Sequence, residues 1–291
     1  MRAVRLTPVQ VTILIVDDAS EDKTASLVRG WEIEYPFIKL ITNRINVGRS
    51  GARNAGIRAG KSPWVFMLDV DCMPVHPDFL RRFIDASNDS TILYSSQIAA
   101  IGENFWAQYS QKVYERRRIQ YEKSSAIEFT SACFACRREA LVRIGLFSEE
   151  YRKYGFEDRD LFVRLSEKYE SSTFIMDFDN CFYHAVEDNP QVLLRKMFEA
   201  GNDSAVIFRR KFPEFYRLSR YAKIDYKLAP LIKRISLLLL IFLVEPLSCR
   251  LLGLLEWKWV PFSIKSRLAL TLQAASFCKG TYYQSSDRDK R

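Results

Sequence analysis

Residues 63–71 read Pro63-Trp64-Val65-Phe66-Met67-Leu68-Asp69-Val70-Asp71. A short, almost entirely apolar run that meets two carboxylates is typical of a buried strand ending at a functional edge of a sheet. Because alternate residues of an extended chain point the same way, we expect Asp69 and Asp71 to share a face. Their oxygens are hard ligands, so the pair can hold a divalent cation and a diphosphate bound to it. Standing alone, the pattern is more often a solvated turn with two charges.

A second apolar run, Val11–Val16, also ends in two acids, Asp17 and Asp18, and a helical pattern follows. Residues 37–42 indicate a further strand. In open α/β sheets, ligands gather outside the carboxyl ends of the strands, so both acidic pairs are expected on one rim. The sequence therefore predicts an α/β fold with a mostly parallel central sheet.

The segment between these strands opens a helix with small residues and arginines. Residues 46–56 contain Gly48 at the predicted helix start, with Arg49 and Arg53 close behind. A helix N-terminus with exposed amides and a neighbouring guanidinium favours an anion. This pattern predicts a phosphate position.

Five short segments, in this order and spacing, resemble the family-2 glycosyltransferases of the GT-A fold over roughly residues 10 to 185. Each segment is a weak signal by itself, and the ordered set is specific. The matching segments are Val16-Asp17-Asp18-Ala19-Ser20, Asn46-Val47-Gly48 with Ala52-Arg53-Asn54-Ala55-Gly56, Asp69-Val70-Asp71, Arg137-Arg138-Glu139-Ala140-Leu141 with Ile144-Gly145-Leu146-Phe147, and Gly155-Phe156-Glu157-Asp158 with Asp160-Leu161.

The resemblance implies a role for each matching polar residue on the donor side. Asp17 or Asp18 would contact the nucleotide base, with Asn46 and Arg53 near the nucleotide. The ribose and the metal-bound diphosphate would be held by Asp69 and Asp71. The implied cofactor is a divalent metal, Mn²⁺ or Mg²⁺, and its ligands would be Asp69, Asp71 and His184.

On the acceptor side, the resemblance implies that Asp158 is the general base and that Glu157 orients the acceptor. An inverting transfer needs a carboxylate that takes the proton of the acceptor hydroxyl while the sugar passes through an oxocarbenium-like state. The alternative is that the two acids only charge the first turn of a helix, where acids are favoured.

The beginning of the chain departs from the family pattern. The family normally begins with a strand and a helix before the Val-Asp-Asp strand, but here Met1 precedes Val11 by only ten residues. We expect that the first strand and most of the first helix are missing, and that residues 1–6 are the tail of that helix. Either the start site is annotated too late or nucleotide binding is weakened.

The second half of the chain is basic and apolar. The net charge is +9, and between Pro190 and Ile235 there are eleven Lys or Arg and four Asp or Glu. An apolar run, 235–244, ends after ten residues, short of the ~20 that a spanning helix needs. A polybasic stretch beside an apolar one favours a membrane surface over nucleic acid. A helical subdomain or a partner surface is the alternative.

These patterns predict a catalytic domain at 1–190 and a helical, membrane-associating region at 191–291, with membrane contact through 195–260. Six scattered cysteines indicate a reduced compartment, so the expected location is the cytoplasmic face of a membrane, peripheral or monotopic.

The predicted function is transfer of a sugar, with inversion, from a nucleotide-sugar donor to a cell-envelope or lipid-linked glycan acceptor. The arginine run 116–118 could meet a phosphate of such an acceptor, and the alternative is a solvated face. The alternatives are a non-catalytic, membrane-docked remnant that acts as a scaffold, and a nucleotidyltransferase.

Overall fold

A computed structural model describes residues 4, 7–121, 129–244, 247–255 and 257–284. Of the predicted helix tail at residues 1–6, only Val4 is among the described residues. The end of the apolar run at residues 245 and 246 also lies outside them.

The chain forms two compact units, each made of segments that are distant in sequence. The first unit comprises Met1–Ile101, Gln111–Arg152 and Asp158–Ala185, and the second comprises Gly102–Ser110, Lys153–Glu157 and Val186–Arg291. The second unit therefore includes two short segments that a linear division after residue 190 leaves out.

The first unit contains two sheets. Its strands are β1 (Ile13–Asp17), β2 (Ile38–Thr42), β3 (Trp64–Leu68), β4 (Cys72–Pro74), β5 (Leu93–Ile101), β6 (Cys133–Arg137) and β7 (Phe174–Ala185). Strands β1 and β2 form a parallel pair. The other five strands form one sheet in the order β3-β6-β5-β7-β4.

The prediction of a mostly parallel central sheet is wrong for this five-stranded sheet. Only β5 and β7 run parallel, while the β3–β6, β5–β6 and β4–β7 pairs are antiparallel. Apolar runs indicate that strands are buried but carry no information on their direction, which depends on the connections between them. In the described part of the chain, no strand pairs with the second edge of β1 or of β3.

Helices of the first unit cover the sheets and form its core. They are α1 (Thr24–Glu34), α2 (Gly48–Ala59), α3 (Phe79–Ala86), α4 (Phe105–Tyr121, which begins in a segment of the second unit), α5 (Arg138–Arg143) and α6 (Glu157–Lys168). Leu161, Phe162 and Leu165 lie on one face of α6 because they are spaced at i, i+1 and i+4. All three are fully buried, and Phe162 packs edge-on against Phe134 of β6.

The second unit is helical. Its elements are α7 (Pro190–Glu199), a π-helical turn (Ala200–Ser204), α8 (Ala205–Lys211), α9 (Pro213–Leu218), α10 (Leu231–Leu239), a second π-helical turn (Leu240–Val244), α11 (Ser248–Gly253) and α12 (Phe262–Tyr283). Gly201 and Gly280 let two helices cross closely, since a Cβ on Gly201 would lie 2.2 Å from the Phe277 carbonyl oxygen. Of the helices described, none is both long and apolar enough to cross a membrane.

Candidate active site

The acidic segment after β3 is a turn. The Cys72 N–H donates to the Asp69 carbonyl oxygen at 3.0 Å, and the Asp69 N–H donates to the Ala132 carbonyl oxygen at 2.9 Å. Val70 is fully exposed at the tip of the turn. The expectation that the two aspartates share the face of an extended strand is therefore wrong, because β3 ends at Leu68 and the chain bends between them.

Asp69 is paired with an arginine of α2. One guanidinium nitrogen of Arg53, Nη2, lies 2.9 Å and 3.2 Å from the two carboxylate oxygens of Asp69. The arginine side chain is 9% exposed and lies beside the ring of Phe147, whereas the aspartate side chain is 34% exposed. The structure thus brings together two of the predicted nucleotide contacts, and a charge-assisted bond fixes their orientation.

Asp71 and His184, two of the predicted metal ligands, also lie together. Asp71 Oδ2 is 3.4 Å from His184 Nε2, and the other ring nitrogen, Nδ1, is 3.0 Å from the hydroxyl oxygen of Tyr114. The pairing of β4 with β7 causes this proximity, because the Ala185 N–H donates to the Asp71 carbonyl oxygen. A partner on the second ring nitrogen orients an imidazole, as is usual for metal-binding histidines.

Cys72 is a candidate ligand that the sequence reasoning missed. It lies opposite His184 in the β4–β7 register. One donor atom each from Asp71, Cys72 and His184 lies within 4.8 Å of the other two. Burial, reinforced by the Asp71 carboxylate, raises the pKa of the Cys72 thiol to about 12. Carboxylate, imidazole and thiol donors suit a divalent cation, so the residues present fit a metal.

Among the described residues, this cluster of three contains Asp71 and His184 but not Asp69. The signal for Cys72 was its place directly after Asp71. Sequence alone could not show that an antiparallel partner brings His184 beside it.

The Asp17-Asp18 pair at the end of β1 is directed into the protein. The Asp18 carboxylate accepts hydrogen bonds from Asn43 Nδ2 at 2.8 Å, from the Val47 N–H at 3.0 Å and from the Gly48 N–H at 2.8 Å. Asn46 donates through Nδ2 to the Asp18 carbonyl oxygen at 3.2 Å. Asp17 is 4% exposed. These residues hold the start of α2 in place.

This arrangement corrects the phosphate position predicted at the start of α2. The Val47 and Gly48 amides, which would face a phosphate, donate to the carboxylate of Asp18. A side chain of the protein thus occupies the anion position that the helix N-terminus favours. Gly48 reaches this geometry with φ +77°, a conformation that favours glycine.

The second acidic motif lies at the start of α6 after an unusual turn. Gly155 has φ +94° and Phe156 has φ +68°. Asp158 is half-buried and accepts the Arg159 N–H at 2.8 Å, whereas Glu157 is buried. Both acids therefore occupy the first helical turn, and Asp158 keeps access to solvent.

Aromatic packing in the second unit fixes the turn before α6. The Phe156 ring is 5.2 Å from that of Phe208, 5.0 Å from Tyr221 and 6.0 Å from Tyr216, between centroids. A non-glycine residue in the left-handed region costs about 1–3 kcal/mol and persists only where its surroundings enforce it. Burial of the Phe156 ring offsets this cost and holds the turn in this conformation.

A buried network holds the rest of α6. Asp160 is fully buried and accepts from the Tyr151 hydroxyl at 3.1 Å and from Arg164 Nε at 2.6 Å. Arg164 also donates to the Ile144 carbonyl oxygen. Burial, with the Asp160 charge beside it, raises the pKa of the Tyr151 hydroxyl, so this group stays a neutral donor.

Two protein-family models match parts of the chain. Residues 2–145 match the model of glycosyl transferase family 2, and residues 115–184 match one described as the N-terminal domain of galactosyltransferase. The chain thus resembles glycosyl transferase family 2 over about half of its length, and its fold is of the GT-A type.

Curated relatives match over limited stretches. The succinoglycan biosynthesis protein ExoO of Rhizobium meliloti is 44% identical over 80 residues, which are 28% of this chain and 22% of that protein. The hyaluronan synthase of Pasteurella multocida is 24% identical over 249 residues, 70% of this chain and 24% of that protein. The chain thus spans about a quarter of the length of the relatives that it matches.

Solved structures share the fold at low sequence identity. The mannosyltransferase PcManGT of Pyrobaculum calidifontis, solved with GDP-Man and Mn²⁺, is 16% identical with a TM-score of 0.57, over 95% of this chain and 81% of that one. TarS 1-349 of S. aureus, solved with UDP, is 14% identical with a TM-score of 0.51, over 98% and 86%.

Proposed function

We propose that this chain is a metal-dependent glycosyltransferase that moves a sugar from a nucleotide-diphosphate donor to a hydroxyl of a glycan or lipid-linked acceptor, with inversion at the anomeric carbon. The observation that carries the proposal is the cluster of Asp71, Cys72 and His184 where β4 pairs with β7, in a chain that matches family 2. Asp69, which forms an ion pair with Arg53 of α2, precedes the cluster on the turn between β3 and β4.

On the donor side, Asp71 and His184 would hold Mn²⁺ or Mg²⁺, with Cys72 as a third donor. The cation, when bound, supplies positive charge against the negative charge that develops on the departing diphosphate. Tyr114 keeps the imidazole of His184 oriented through the bond at Nδ1. Arg53 holds the Asp69 carboxylate in place, where its partial exposure allows it to accept from ribose hydroxyls.

The predicted contact with the nucleotide base is assigned to the loop after β1. Asp18 shapes this loop indirectly, because its carboxylate accepts hydrogen bonds from the Val47 and Gly48 amides. Asn46 supports the same loop through the Asp18 carbonyl oxygen. We assign the direct contact to Asp17 or to the loop backbone that these bonds shape.

On the acceptor side, Asp158 takes the proton of the attacking hydroxyl. The acceptor oxygen forms a bond to the anomeric carbon as the bond from that carbon to the diphosphate oxygen breaks, and attack from the opposite face inverts the configuration. Asp158 suits this task because it is half-buried at the start of a fixed helix. Glu157, the preceding residue, is buried and would orient the acceptor.

The acceptor class is proposed from the relatives and from the charge of the chain. Matching proteins are named for succinoglycan biosynthesis and as a dolichyl-phosphate beta-glucosyltransferase of Trichomonas vaginalis. Arg117 follows Tyr114 by three residues on α4, so the two side chains lie on the same side of this helix. A guanidinium near the metal cluster suits an acceptor or donor phosphate. We place the reaction at the cytoplasmic face of a membrane.

The alternative of a non-catalytic scaffold has no specific observation in its favour. A scaffold has no need for a carboxylate, a thiol and an imidazole within 4.8 Å of one another, or for a strained turn before Asp158.

The test is release of the nucleoside diphosphate from UDP-, GDP- and CDP-sugars, with and without Mn²⁺. We expect one donor class to be turned over, faster with Mn²⁺, and Asp158→Asn to lose about 10²–10⁴-fold in kcat with nucleotide binding retained. The exposed Asp179→Asn is the matched control and keeps full activity. A folded protein that releases nucleotide from no donor with any acceptor fraction contradicts the proposal.

A further inference from the structure

Helix α10 and the turn after it present an apolar face to solvent. Six side chains on this segment are between 53% and 85% exposed: Leu231, Ile232, Ile235, Leu239, Phe242 and Leu243. At roughly 100° per residue, the four members within α10 fall in an arc of about 100°, so they form one stripe. We call these six residues the α10 face.

The opposite side of the same segment is packed within the second unit. Leu237 and Ile241 are buried, and they form a cluster with Ala229 and Cys278, supported by Tyr226. The helix is therefore held by its own packing, and the exposure of the α10 face does not arise from a detached segment. A contiguous exposed apolar surface of this kind marks an interaction site.

Positive charge borders the α10 face. Lys227 and Lys233 are exposed, and Arg234 is held against the segment by a bond from its Nε to the Ala229 carbonyl oxygen at 3.0 Å. Residues 226–244 contain no Asp or Glu. Within residues 226–244, which lie between Glu245 and the buried Asp225, the apolar side chains have only cations as charged neighbours, which matches a surface that offers hydrocarbon beneath negative headgroups.

We propose that the α10 face docks on an anionic lipid surface, inserting its apolar side chains between headgroups while Lys227, Lys233 and Arg234 contact the phosphates. This inference rests on the proposed function, whose lipid-linked acceptor it would bring to the enzyme. The docking is interfacial, in agreement with the lack of a membrane-crossing helix among the described residues. Two exposed tryptophans, Trp257 and Trp259, precede α12 and are of the type enriched at membrane interfaces.

A second copy of the chain fits this face less well than lipid does. A symmetric dimer through this face would gather Lys227, Lys233 and Arg234 of both copies in one interface, with no acid in residues 226–244 to balance them. Like charges at close range oppose association, whereas anionic headgroups neutralise them.

The test is flotation of the full chain with phosphatidylcholine vesicles and with vesicles that also contain phosphatidylglycerol. We expect binding to the anionic vesicles that weakens in high salt, where the screening length falls to about 3 Å at 1 M. The double variant Ile232→Asn with Ile235→Asn should lose on the order of tenfold or more in vesicle affinity. The matched control is Ile33→Asn in α1, an apolar residue that is 87% exposed in the first unit, and it should bind as the wild type does.

Further measurements on the wild type and the variants distinguish lipid from the other occupants. If the double variant does not fold, as judged by circular dichroism, Lys227→Ser with Lys233→Ser must weaken binding to anionic vesicles instead. Unchanged binding in a folded variant, or no binding by the wild type, overturns the proposal. A wild-type dimer in lipid-free solution that the variant converts to monomer also overturns it, in favour of a second copy. Nucleotide binding measured without lipid separates a failure here from a failure of the proposed function.

Discussion

The two acidic pairs at the ends of β1 and β3 have the same sequence setting and different surroundings. The Asp18 carboxylate accepts two backbone amides and one side-chain amide from the loop before α2. Asp71, by contrast, has a side chain that is 48% exposed and lies 3.4 Å from His184. One pair is built into the scaffold of the site, and the other is presented for chemistry.

The difference teaches that a carboxylate at a strand end does not report its own role. The connections of the chain decide it: a glycine turn carries the α2 amides to Asp18, whereas an antiparallel strand carries an imidazole to Asp71. The comparison predicts that substitution of Asp18 alters stability and that substitution of Asp71 alters activity.

Asp71→Asn is expected to have the largest effect. Loss of the anionic metal ligand should weaken binding of the cation that stabilises the charge on the leaving diphosphate. We therefore expect kcat/KM to fall by about 10³-fold or more. The melting temperature should stay within a degree or two, because the side chain is half exposed. Steady-state kinetics and a thermal scan check this. Equal loss in activity and stability would erase the contrast between the pairs.

Asp18→Asn should show the reverse pattern. The neutral amide of asparagine offers one acceptor oxygen in place of two. The loss of charge-assisted bonds from the backbone amides should lower the free energy of unfolding by about 2–3 kcal/mol. Urea denaturation measures this. Glu21→Gln, an exposed acid on the same loop, is the control and should change it by less than about 0.5 kcal/mol. A fully stable Asp18→Asn protein would show that the carboxylate is not structural.

Tyr114→Phe sharpens the account of the second pair. It removes the hydroxyl 3.0 Å from His184 Nδ1 and keeps the ring. Second-sphere partners of metal-binding histidines are worth about 10–100-fold in affinity, so we expect a loss near the lower end. Titration of Mn²⁺ followed by electron paramagnetic resonance checks it. Unchanged affinity would show that the Tyr114 hydroxyl does not support a metal ligand.

Cys72→Ser should have the smallest effect on Mn²⁺, a cation that prefers oxygen ligands, at most a few-fold in affinity. Co²⁺ is the sharper probe, because a sulfur ligand gives a charge-transfer absorption that serine cannot. We expect the wild type to show this band and the variant to lack it. A band that is absent in the wild type would leave Asp71 and His184 without Cys72.

The sequence was sufficient for the fold class and for part of the grouping at the site. Ordered motifs led to the GT-A fold, which the comparisons confirm, and to Asp71 with His184, which lie 3.4 Å apart. Strand direction and the place of Cys72 beside His184 depend on pairings between strands that are far apart in the sequence. Local patterns do not contain such pairings. The capping role of Asp18 was missed for the same reason, since its partners lie 25 to 30 residues away.

The most direct test of the central claim is calorimetric titration of UDP, GDP and CDP into the wild type, Asp71→Asn and Asp179→Asn, each with and without Mn²⁺. The account predicts that one nucleotide binds the wild type and Asp179→Asn only when Mn²⁺ is present, and that Asp71→Asn loses this binding while remaining folded. Nucleotide binding that is indifferent to Mn²⁺ and unchanged in Asp71→Asn would contradict a metal-dependent donor site at Asp71.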